Sequence, residues 1–262
     1  MKETMKNLLV VCAVSLLVAA TAQATVVLSD NFDDSTNGAL TGQNADTGQT
    51  WGAWGSYAST DVGAAYGRTG KGIGVASNWS DRLNKISLGT TLTGGVTEDI
   101  VVLSFDAERG YTGEWGAATN TRQDARLTDT VSGNFIKVSW GEADATSGWL
   151  HKIEIMGLGL DTQLDAYRSG WLNFELSVNL TTGQTNLTWD NLDNSDGATY
   201  DLGTFDTSAY AFAPNEVGVH QRRVAVPTIG MDNLMVSTVP EPATMTLLGI
   251  GGLLALVRRR RK

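Results

Sequence analysis

The chain has 262 residues, a single cysteine, 42% hydrophobic residues and a formal net charge of −9. That length can bury a sizeable core, one cysteine excludes a disulfide framework, and the acidic surplus argues against nucleic acid as a partner. Lys2 and Lys6 precede an apolar run over 8–20, and Ala22 and Ala24 supply the small residues of a cleavage site. Residues 1–24 therefore read as a secretory signal peptide, with Thr25 as the first residue of the exported chain. Cys12 lies inside this leader behind Val11, where a lipoprotein signal needs a small residue. The exported part thus has no thiol and must rest on packing alone.

Over 25–239, 12 Lys and Arg residues against 26 Asp and Glu residues leave a net charge of −14. Such a field repels polyanions and anionic membrane surfaces and favours cations or neutral partners. In chain order, the pattern predicts strands near 26–32, 72–77, 85–89, 100–107, 135–140, 150–156, 172–180, 185–190, 217–221 and 229–237. The alternation is strict over 172–180, with Leu172, Phe174, Leu176, Val178 and Leu180 on one face and Asn173, Glu175, Ser177 and Asn179 on the other. Thr181-Thr182-Gly183-Gln184 reads as a turn, and the return with Leu187 and Trp189 makes a hairpin. The segment 38–67, rich in Gly, Thr and Asn, is expected to form long loops with short edge strands. No stretch carries a sustained helical period and no Pro- or Ser-rich linker divides the region. An all-β, antiparallel jelly-roll β-sandwich spanning 25–239 is the predicted architecture.

The last segment, 240–262, opens with Pro240-Glu241-Pro242, continues as an apolar helix over 243–257 and ends in Arg258, Arg259, Arg260, Arg261 and Lys262. Fifteen helical residues span about 22 Å, short of the ~30 Å hydrocarbon core, a mismatch that snorkelling and local thinning can absorb. The five cations keep that end in the cytoplasm, while leader cleavage leaves the N-terminus outside. Both ends predict one topology.

Catalytic constellations are weak. Glu154 stands alone on its strand pattern, since Lys152 and Gly157 occupy the places where partner carboxylates would serve a glycosidase. There is no nucleophile elbow, and His151 and His220 are the only histidines, so zinc capacity is small. The segment from Asp193 to Gly197 fails as a calcium loop because Leu192 and Gly203 fall on ligand positions. Calcium remains a candidate cofactor at a different place, where Asp30 or Asp33 would face Asp232. All eight tryptophans lie in 25–239. Trp51, Trp54 and Tyr57, set among glycines, are candidate platforms for stacking on a neutral glycan, whereas Trp140 and Trp189 sit in strand patterns and are expected in the core.

Two resemblances follow from these residues. The tripeptide, apolar helix and basic cluster together resemble the bacterial PEP-CTERM sorting signal, which implies an exosortase-type processing peptidase as partner. It further implies membrane attachment before processing and delivery to the cell surface or extracellular matrix. The opening Leu28-Ser29-Asp30-Asn31-Phe32-Asp33-Asp34, the hairpin around Gly183 and the closing Ile229-Gly230-Met231-Asp232-Asn233-Leu234 resemble the concanavalin A-like and laminin G-like β-sandwiches, with a galactose-binding-like jelly roll as the alternative. That likeness implies adjacent first and last strands. It also permits extracellular polysaccharide or matrix binding, beside a purely structural surface role or a divergent glycan-processing activity.

Overall fold

A computed structural model describes residues 24–75, 80–95, 99–109, 122–142, 151–166, 170–193, 199–223 and 229–239. Among the described residues sixteen strands run in chain order: β1 (Thr25–Asp30), β2 (Gly38–Ala39), β3 (Gly52–Ala53), β4 (Asp61–Gly63), β5 (Gly72–Gly74), β6 (Ser80–Ser87), β7 (Ile100–Arg109), β8 (Arg122–Thr128), β9 (Phe135–Glu142), β10 (His151–Gly157), β11 (Leu160–Ala166), β12 (Gly170–Asn179), β13 (Gln184–Asn191), β14 (Thr199–Asp206), β15 (Glu216–Arg223) and β16 (Ile229–Val239). They form two antiparallel sheets. A nine-stranded sheet has the order β14-β13-β12-β7-β16-β5-β4-β2 with β1 also on β16, and a seven-stranded sheet has the order β11-β10-β9-β8-β15-β6-β3.

The alternation read over 172–180 is what builds the core. Leu172, Phe174, Leu176 and Val178 of β12 are buried while Glu175 is exposed. Phe174 lies opposite Phe105 of β7, their rings stacked at 5.2 Å, and meets Trp140 of the other sheet at 6.2 Å. Ile136, Val138, Ile153, Ile155, Val217 and Val219 supply the facing layer. Side chains of this kind each contribute roughly 1.5–3 kcal/mol on burial, so the inter-sheet layer accounts for the sandwich without a disulfide.

The first and last strands are neighbours, as expected: Thr25 pairs with Thr238 and Asp30 with Leu234. Just beyond β1, Phe32 is fully buried at a φ of 59°. Asp30 Oδ1 accepts the Phe32 amide at 2.8 Å, a local side-chain cap that fixes this left-handed turn. Segment 38–67 holds only the short strands β2, β3 and β4, again as expected.

Three longer strands carry no clear sequence signal. β11 and β14 are edge strands, and β14 buries nothing fully, so alternation has little to act on. β8 is central, yet one of its inward positions is Gln123, buried and accepting from Gln221 at 3.2 Å, which breaks the apolar period. Among the described residues there is no helix, hence none long and apolar enough to cross a membrane. Most of the leader, including Ala22, and the whole tail with Pro240, Glu241, Pro242 and Arg258 to Arg261 lie outside the described residues. Ala24 is exposed immediately before β1.

Candidate functional site

The candidate aromatic platform divides. Trp51 is 1% exposed, tilts against Phe32 at 6.3 Å and donates from Nε1 to Asp30 Oδ2 at 2.6 Å. It is a core residue, and its assignment to a sugar platform is corrected. Its partner pays for that burial: desolvation pushes the Asp30 carboxyl from 3.8 to about 6, against the lowering effect of the Trp51 and Phe32 hydrogen bonds. Trp54, three residues on, is only half-buried, and Tyr57 is 52% exposed with its amide donating to the Trp54 carbonyl. Strand β3, Gly52–Ala53, lies between the two tryptophans, and Gly55 turns the chain after Trp54 at a φ of 63°.

Trp54 lies against the outward face of the seven-stranded sheet. On β8, Ala125 and Leu127 point into the core, so Asp124 and Arg126 point out; on β9 and β15 the same alternation turns out Phe135, Lys137, Gly218 and His220. Gly218 is required there, since a Cβ at this position would stand 2.1 Å from Cζ3 of Trp54. The Arg126 guanidinium sits 3.4 Å from the Trp54 ring centroid and 5.3 Å from that of Phe135. A pocket of about 230 Å³ opens here, lined by Trp54, Phe135, Arg126, Lys137, Asp124 and His220.

Strand register orders the polar groups of this face in rows. One row runs Leu83, His220, Asp124, Ser139, Glu154 across β6, β15, β8, β9 and β10. His220 is clamped, with Nδ1 2.8 Å from Asp124 Oδ2 and Nε2 2.9 Å from Asp81 Oδ1. A ring flanked this way can donate to both carboxylates only when it carries two protons. Lys137 Nζ reaches the same Asp124 oxygen at 3.9 Å. The next row runs Lys85, Gly218, Arg126, Lys137, Met156, and Lys85 is paired to Glu216 at 2.8 Å. Of these groups, only Trp54 was singled out as a ligand-binding candidate from sequence. The rest come from strands far apart in the chain, and β8 itself was not recognised.

The aspartates proposed for calcium serve another purpose. Asp33 Oδ1 accepts the Lys71 amide at 2.8 Å, and Asp232 accepts the Arg68 amide at 3.0 Å and the Asn233 amide at 2.8 Å. Burial raises the Asp232 pKa, with Asp106 and Asp33 adding to it, so Asp33 and Asp232 do share a neighbourhood. With Asp30 committed to Phe32 and Trp51, the three carboxylates anchor loops. Among the described residues no group of three His, Cys, Asp or Glu is disposed to hold a metal.

Comparison with known proteins places both parts of the chain. Residues 238–262 match the PEP-CTERM protein-sorting motif. The chain ends in a sorting signal. No characterised protein matches the chain in sequence. Among solved structures, lectin II from Ulex europaeus is similar at a TM-score of 0.52 and 12% identity, over 82% of this chain and 100% of the lectin. The CBM2 module of the evolved Dit of Lactobacillus casei BL23 phage J-1 is similar at 0.50 and 13%, over 84% and 97% of the two chains. The globular domain of T. cruzi calreticulin is similar at 0.50 and 8%, over 88% and 95%. At such identities the likeness concerns the fold, which is a concanavalin A-like β-sandwich.

Proposed function

We propose that this is an exported surface protein whose sandwich, 25–239, binds a glycan on the outward face of the seven-stranded sheet and performs no chemistry on it. The observation that carries the reading is the pocket that sets Trp54 and Phe135 beside Arg126, Lys137, Asp124 and His220. Aromatic surface for sugar C–H faces, next to fixed donors and acceptors for hydroxyls, is what a saccharide site requires. Tyr57, three residues beyond Trp54, is exposed as well. The similarity to a lectin that also exists as a galactose complex supports the same reading.

Absence of catalysis is supported by the register. Glu154 lies directly opposite Ser139 on one side and Gln163 on the other, so neither residue paired with it is a carboxylate. A retaining pair needs about 5 Å between carboxyl groups. The Asp124 carboxylate, two strands away, is already held by His220 and Lys137. In the same proposal the PEP-CTERM tail is the substrate of an exosortase-type peptidase, and the apolar helix over 243–257 holds the precursor in the membrane until processing delivers the protein to the cell surface or matrix.

The test is a polysaccharide array probed with the purified full chain and its Trp54→Ala variant. Binding by the wild type and its loss in a variant that melts within a few degrees of wild type support the proposal. No binding to any polysaccharide, or binding indifferent to Trp54→Ala, would replace it with a structural surface role.

A further inference from the structure

We propose that Arg126 and Lys137 make this pocket a seat for the carboxylate of an acidic sugar, a uronic acid unit within a polysaccharide. The inference rests on the glycan reading above and names its ligand class. Its starting point is Arg126. The residue is half-buried, and Nε is buried with no hydrogen-bond partner. Among the described residues no carboxylate lies within ion-pair distance of its guanidinium. Glu216 is taken by Lys85, and Asp124 by His220 and Lys137. Burial pushes the Arg126 pKa down, with Glu216 and Asp124 offsetting part of this at longer range.

A charge held out of water without a hydrogen-bonded counter-ion is unfavourable, and two aromatic rings at 3.4 and 5.3 Å replace only part of its hydration. An incoming anion would relieve that. The guanidinium is planar and offers a fork of N–H donors matched to a carboxylate, while Lys137, opposite Arg126 on β9, adds a second cation on the same face. Phe135 and Trp54 then offer aromatic surface to the pyranose ring.

The net charge of the exported region favours neutral ligands at a distance. At physiological salt, however, screening limits that field to about 8 Å, so at contact the cations lining the pocket decide.

Calorimetric titration of the full-length protein with oligogalacturonate, oligomannuronate, methyl-esterified oligogalacturonate and a sulfated galactose oligomer tests the proposal. The methyl ester keeps every ring hydroxyl and removes only the charge. The expected result is binding of a uronate oligomer that weakens about tenfold to hundredfold on esterification and in Arg126→Gln, the range for a charge-assisted hydrogen bond. Arg126→Lys should recover part of the loss and Lys137→Gln should show a smaller one. Melting temperatures of the variants distinguish lost binding from lost folding, and esterification reports without any mutation. Equal affinity for the ester and the acid overturns the carboxylate assignment while leaving the glycan site standing. Stronger binding of the sulfated oligomer also overturns it. No binding to any of the four, together with an array free of bound polysaccharide, overturns both.

Discussion

Replacing Asp30 with Asn should change how the stability of the sandwich depends on pH. Asp30 is 1% exposed and its carboxyl is raised from 3.8 to about 6, chiefly by desolvation, with Asp46 and Asp34 adding repulsion. A carboxyl that binds its proton more tightly when folded contributes stability that is fully present below pH 3.8 and lost as pH rises through about 6. The loss is about 2 pKa units at 1.36 kcal/mol each, or about 3 kcal/mol. For a domain of this size that is about 6–12 °C in Tm. Asp30→Asn cannot titrate. Its amide nitrogen also cannot accept from both Trp51 Nε1 and the Phe32 amide, so the variant is less stable than wild type at pH 3.5 by about 1–3 kcal/mol. Urea or thermal unfolding of both proteins between pH 3.5 and 7.5 should show this deficit shrinking or reversing as pH rises. Glu108 and Asp232, also raised by burial, and Asp129, lowered by its hydrogen bonds, titrate in both proteins and cancel in the difference. Parallel stability curves for the two proteins would refute the reasoning.

Trp51→Ala should cost about 3–5 kcal/mol, as for other buried aromatic truncations, and should lower Tm markedly, whereas Trp54→Ala should leave Tm nearly unchanged; differential scanning calorimetry compares them. Gly218→Ala should displace the Trp54 indole, because the new methyl would meet Cζ3, and should weaken glycan binding with little change in overall secondary structure by circular dichroism. Replacing Pro240-Glu241-Pro242 by alanines should leave a full-length, membrane-retained precursor in a host with the cognate peptidase, read by intact mass. N-terminal sequencing of exported protein should begin at Thr25, the first residue of β1.

The fold was legible because burial on one face of a strand imposes a period of two, and β12 and β13 carry that period in full. The same reasoning missed β8, whose buried Gln123 is satisfied by partners from β15 and β7, a condition no local window contains. The candidate site depended on just such distant groups. Asp81 meets His220 across 139 positions of sequence, and Asp124 meets it across 96.

Composition and pattern within contiguous residues carried the acidic sandwich and the sorting tail, whereas the adjacency of the first and last strands came only from the resemblance to concanavalin A-like sandwiches and joins segments about 200 residues apart. Which of two tryptophans three residues apart enters the core was decided only by tertiary structure. Both stand beside glycines, and their local sequence is equivalent. Asp30 on the first strand accepts from the indole of Trp51, and Gly218, far along the chain, clears the place where Trp54 lies on the opposite sheet. Strand periodicity assigns a side chain to a face, but the partner that covers that face comes from pairing between remote strands.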